Sequence, residues 1–170
     1  SLEDLVGFLG HHLGRNKMKY ILIITFMFVS DVYANTWKIN EIVDEFEGTT
    51  TEYAISNAVK PNAPLDFPYE DLKVKFLKFC ESENAGLYFS EDPNLLNGDI
   101  KDGFTSFLVD VKLDGRFSEI LITQKWGGKQ LNIHNNSIFK VLNSKSFFIQ
   151  LEHYSGGTRY YKFNLSEIPC

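Results

Sequence analysis

The longest regular alternation in the chain falls in residues 105–113, where Phe107, Val109, Val111 and Leu113 alternate with Leu108, Asp110 and Lys112. A period of two places the first set on one face of a β-strand. Asp114 and Gly115 follow, a pair suited to a two-residue hairpin turn because both central positions need positive φ. Residues 120–126 then return as the partner strand, Gly127 and Gly128 turn the chain again, and Leu131 and Ile133 continue the meander. Leu72, Val74 and Phe76 alternate with Lys73 and Lys75, which predicts a half-buried strand. Trp37, Ile39 and Ile42 predict a short strand before an acidic turn over residues 44–50. Tyr53, Ile55, Ala58 and Val59 form a second strand, and residues 87–89 a short one. Residues 147–154 and 158–165 read as a hairpin around Gly156 and Gly157. Residues 60–69 hold three of the five prolines and are expected to be extended loop. Only residues 137–144 carry a clear helical pattern, with Ile138, Val141 and Leu142 on one face and Ser137 as the N-cap. Many short strands, frequent turns and one small helix predict a mainly β fold: an antiparallel β-sandwich or partly open barrel with one short helix.

One apolar run fits neither period. Lys19 precedes an apolar stretch over residues 20–29, interrupted only by Thr25, and Val32, Tyr33 and Ala34 end it before Asn35. This is the layout of a secretory signal peptide over residues 18–34, with cleavage after Ala34. The stretch is about half the 20 residues that a membrane-crossing helix needs. Residues 1–17 precede Met18 and are expected to be a product of translation begun too far upstream, or else a short amphipathic extension with Leu2, Leu5, Val6 and Leu9 on one face. His11 and His12 are adjacent and point apart on a helix, so no metal site is expected there. The organisation expected is therefore a prefix (1–17), a signal (18–34) and a single exported β-rich domain (35–170). With no cysteine beside Ala34 to carry a lipid, no stable membrane insertion is expected after cleavage.

Composition sharpens this picture in two places. The net charge of −5 opposes a partner held by phosphate contacts, so nucleic acid is not an expected ligand. The two cysteines, Cys80 and Cys170, both fall in the exported part, where an isolated pair is expected to form a disulfide.

Candidate chemistry is sparse. No nucleophile elbow, zinc-protease helix, phosphate loop or paired-cysteine motif is present. His134 and His153 fall on expected strands, and His153, in step with Ile149 and Leu151, is expected to face inward and be satisfied by a hydrogen bond. The loop from Asp92 to Asp99 superficially matches a calcium loop. Leu96, Asn97 and Gly103 occupy the positions that need an oxygen ligand, a glycine and a bidentate glutamate, so a solvated turn is expected. No catalytic residue, metal or cofactor is assigned. Lys125, Lys129, Arg159 and Lys162, with Trp126, Tyr160 and Tyr161, form a candidate basic edge for an acidic or sugar-rich partner. Edge strands also use such charges simply to avoid pairing with other sheets.

The order of motifs resembles a family. Trp37, an acidic turn from Asp44, the lysine-rich strand ending at Cys80, the Asp114-Gly115 hairpin, the Trp126-Gly-Gly turn, the small helix and a last hairpin closing on Cys170 are similar to the exported β-sandwich proteins associated with type VI secretion (the VasI type) and their prophage-borne relatives. The resemblance implies a periplasmic or secreted, non-enzymatic binding or accessory role with a protein partner in the cell envelope. A second, local likeness links Ser155, Gly156 and Tyr160 to the serine-bearing loop of periplasmic lysozyme inhibitors. It implies inhibition of a cell-wall hydrolase. A hydrolase with an unrecognised site is the third reading.

Overall fold

Strand pairing in the computed structural model, which describes residues 37–170, is antiparallel throughout. The expected signal over residues 18–34 and the prefix with His11 and His12 lie outside the described residues. The strands are β1 (Lys38–Asp44), β2 (Thr49–Ile55), β3 (Val74–Phe79), β4 (Ala85–Phe89), β5 (Asp99–Lys101), β6 (Phe104–Leu113), β7 (Arg116–Lys125), β8 (Gln130–Ile133), β9 (Ser146–His153) and β10 (Gly157–Asn164). One helix, α1 (Asn135–Leu142), stands between β8 and β9. The strands form one sheet in the order β1-β2-β3-β4-β8-β7-β6-β9-β10, with β5 beside β6. The fold is mainly antiparallel β with a single short helix among the described residues, and the sheet does not close into a barrel.

The alternation sets the register. Leu113 pairs with Arg116 across a turn in which Asp114 and Gly115 have φ of 49° and 81°, as a tight hairpin requires. Phe107 and Val111 are then buried while Leu108 and Asp110 face out. Leu72, Val74 and Phe76 point inward and Lys73 and Lys75 outward.

The sheet curls until its two halves meet. Phe76 of β3 lies 5.9 Å from Phe147 of β9 and 6.0 Å from Phe163 of β10, although four strands separate β3 from β9. Phe89 of β4 meets Tyr161 of β10 edge-on at 5.9 Å. Ile138 and Val141 of α1 join the same core.

The seam between β3 and β10 is bridged at both ends. At one end Val59 pairs with Val74, and Asn62 then exchanges hydrogen bonds with Tyr160, its Oδ1 accepting from the Tyr160 N–H. This segment covers the outer edge of β10, which removes a free sheet edge. At the other end the tail crosses back, Trp37 Nε1 donates to the Ser166 carbonyl, and Cys80 is joined to Cys170 across a Cα–Cα distance of 5.0 Å. The expected disulfide is therefore formed. No helix of the described residues is long and apolar enough to cross a membrane.

Four local expectations are corrected. The helix starts at Asn135 with His134 as its N-cap, not at Ser137; Ser137 is buried and its hydroxyl accepts from the Leu121 N–H. His134 is accordingly not on a strand. The second strand stops at Ile55, because Ser56 turns its hydroxyl inward to accept from the Phe76 N–H, and Val59 is left as an isolated bridge. The loop after Asp92 is docked, not solvated. Leu95 bridges to His153, the Leu96 N–H donates to the Glu152 carbonyl, and the loop leads into β5, a strand the pattern did not predict.

Candidate functional site

Period-two geometry leaves the even-numbered residues of β6 on the outer face of the curled sheet. There the expected polar positions carry aromatics. Phe117, opposite Lys112, is 79% exposed, and Lys112 Nζ sits 4.3 Å above its ring. Phe148 and Tyr160 project from β9 and β10 and stack at 5.4 Å with an interplanar angle of 27°. Together with Asp110 and Gln150 these four side chains line a groove of about 290 Å³. A second hollow, about 230 Å³, shares Asp110 and Gln150 and extends the groove past Leu108 to Leu95.

The extension has a topological cause. β6 pairs with β9 only through Val111, Lys112 and Leu113, and with β5 through Phe104, Thr105 and Ser106. Residues 107–110 have no strand on that side, and the gap opens the hollow. The arrangement offers aromatic faces, the Lys112 cation, the carboxylates of Asp110 and Glu152 and the amides of Gln150 and Asn97, with no histidine or cysteine in its lining. Its chemistry suits flat apolar surface with polar edges.

The residues expected to bind a partner divide into two groups. Lys125, Trp126 and Lys129 belong to the end of β7 and the turn into β8. Trp126 is 82% exposed and Lys129 Nζ donates to the Ser90 carbonyl. Arg159 and Tyr160 lie on β10, with β6 and β9 between them and β7 in the sheet order. Tyr160 belongs to the groove. Arg159 is committed to the proline-containing loop, its Nη2 donating to the Pro64 carbonyl at 2.8 Å. Ser155 and Gly156 are half-buried under that loop: the Ser155 carbonyl accepts from Asp66 N–H. A Cβ on Gly156, at φ of 130°, would come within 3.0 Å of Leu65 and Arg159. Tyr161, placed beside the basic edge by its sequence neighbours, is instead fully buried.

Tyr161 and His153 form a buried titratable pair. The Pro93 carbonyl lies 2.7 Å from His153 Nδ1, so that nitrogen carries the proton and donates. Nε2 then accepts from the Tyr161 hydroxyl at 2.9 Å. Burial holds the imidazole pKa below its ordinary 6.5, opposed by the Pro93 bond and aided by the nearby Arg159 charge. Burial likewise pushes the Tyr161 phenol up. The pair ties the docked loop to β9 and β10, which is the structural role expected for His153. Among the described residues no three His, Cys, Asp or Glu side chains gather in a metal-binding group.

The groove residues Phe117, Phe148, Lys112, Asp110 and Gln150 were not picked out by motif. The signal available was the misplacement of phenylalanine at outward positions of otherwise alternating strands. No family model, curated protein or solved structure matches the chain.

Proposed function

We propose that the domain is an exported, non-enzymatic binding module of the cell envelope, serving as an accessory to secretion or prophage machinery, and that its outer-face groove holds a protein partner. The observation that carries this reading is the row of aromatics at outward strand positions, Phe117, Phe148 and Tyr160, gathered around Asp110 and Gln150. Exposed aromatics with hydrogen-bonding groups at their edges are typical anchors of protein interfaces. The Cys80–Cys170 disulfide supports an oxidising compartment.

The test is site-specific photo-crosslinking in the native cells. A photoreactive residue at Phe117 or Tyr160 is expected to give one discrete adduct with an envelope protein, and the same residue at exposed Glu83, in the β3–β4 turn and outside the groove lining, none. Recovery of the chain in the cytosol with residues 18–34 retained, or identical adducts from all three positions, would refute the proposal.

A further inference from the structure

A different surface also exposes apolar side chains. Every residue of β1 is exposed, Ile42 and Val43 included, and Phe46 in the β1–β2 turn is 98% exposed. β2 joins β3 only through Tyr53, Ala54 and Ile55, while its pairing with β1 continues to Asp44 and Thr49. The distal part of the hairpin is thus a two-stranded arm with no third strand beside it. Such ribbons are marginal alone, yet this one is held at both ends. At the root, Cys80 N–H donates to the Glu52 carbonyl at 2.9 Å, Cys80 is locked to Cys170, and Tyr53 packs on Phe79. At the tip, Asp44 Oδ1 accepts from the N–H groups of Phe46 and Glu47 at 2.9 and 3.0 Å, and Gly48 N–H returns to the Asp44 carbonyl. Phe46 is therefore presented in a pre-ordered turn, which lowers the entropy lost on docking.

Charge selects the occupant. The hairpin bears Glu41, Asp44, Glu45, Glu47 and Glu52 against a single Lys38. Glu41 sits directly opposite Glu52, a like-charge pairing that weakens a ribbon. Among the described residues no cation forms an ion pair with these carboxylates. A second copy of the chain would bring the same acids to the interface, and an anionic lipid surface would repel them. We infer that the β1–β2 hairpin is a docking arm for a basic protein with an open cleft, Phe46 entering the cleft and the carboxylates meeting lysines and arginines on its rim. The inference rests on the binding-module reading but assigns a second surface to it.

Lysozyme, basic and clefted, is the probe, and cytochrome c, basic without an open cleft, is the control. The purified oxidised protein is expected to bind lysozyme at low ionic strength, and raising salt from about 50 to about 300 mM should weaken binding by about tenfold or more. Phe46→Ala should weaken it by about tenfold, and Phe46 has no packing whose loss would disturb the fold. A Glu41→Gln/Glu52→Gln variant should bind less tightly while resisting urea at least as well as the parent. Phe117→Ala should leave lysozyme binding intact. Absence of lysozyme binding, equal affinity for cytochrome c, or wild-type binding by Phe46→Ala would each overturn the arm. Loss of binding in Phe117→Ala alone would do so too while leaving the groove reading standing.

Discussion

His153 is buried at the point where the docked loop, β9 and β10 meet; its Nδ1 donates to the Pro93 carbonyl, and its Nε2 accepts from the Tyr161 hydroxyl, a bond that needs the neutral form. Protonation would place a second donor against the Tyr161 hydroxyl and an uncompensated charge near Arg159. The folded-state pKa lies below the ordinary 6.5, so the unfolded chain binds the proton more readily. Stability from this group is complete above pH 6.5 and falls as the pH drops from there through the folded-state value. Urea midpoints should therefore decline between pH 7.5 and pH 5. His153→Gln should be less stable at pH 7.5 but show a flatter decline. A parallel decline in the two proteins would mean that His153 is not the group responsible. Asp114 acts on the surface in the opposite chemical sense. Its carboxylate accepts from the backbone of Ser146 and Lys145, bonds that favour the ionised form and hold its pKa below the usual carboxylate range.

At the level of elements, local pattern foretold the strands whose two faces differ and missed the features that depend on distant partners. Residues 105–113, with one apolar and one largely polar face and an Asp-Gly turn, have only one register that buries Phe107 and Val111. β5 has no such signal: its three residues are all exposed, and it exists because β6 offers an unpaired edge. The groove was half legible. Tyr160 was singled out, but Phe148 and Phe117 become neighbours of it only through pairing between β9, β10, β6 and β7. The helix start was displaced because Ser137 has the chemistry of a cap, whereas tertiary packing draws its hydroxyl to Leu121 and leaves capping to His134. The His134 cap is weak: its Nδ1 accepts from Asn136 N–H at 3.4 Å, and no acidic residue lies in the first turn. His134 already has the extended backbone of an N-cap, φ −66° and ψ 144°. His134→Asp should therefore stabilise the protein by about 1 kcal/mol, through a shorter charge-assisted cap and a favourable charge at the helix start. An unchanged or lower urea midpoint would show that α1 is not limited by its cap.

For the whole molecule the decisive feature is a sheet that curls far enough for β3 and β4 to pack on β9 and β10 but is not closed by strand pairing. Closure is left to chain segments: the proline-containing loop at the Val74 end of the seam, and the C-terminal tail at the Cys80 end. Neither segment has a regular ladder, so each relies on a few side-chain ties. For the tail these are the Trp37 bond to Ser166, the packing of Leu165 and Ile168 on the core, and the disulfide. The bridge spans 90 residues, nearly the length of the domain from β3 onward, and the chain-entropy model assigns a loop of that length about 4 to 5 kcal/mol, with less commonly realised. A Cys80→Ser/Cys170→Ser variant should accordingly lose about 2 to 4 kcal/mol in urea unfolding. The loss should have a local signature. With the tail released, backbone amides around Trp37, Glu52 and Cys80 should exchange faster, whereas those of β6 and β7 should slow or quicken only with global stability. The hairpin arm is rooted at the same place, so the variant should also lose lysozyme binding at a urea concentration where the core is still folded. Equal midpoints for parent and variant, or uniform loss of protection across all ten strands with no early change at the root, would show that the disulfide is incidental to the seam.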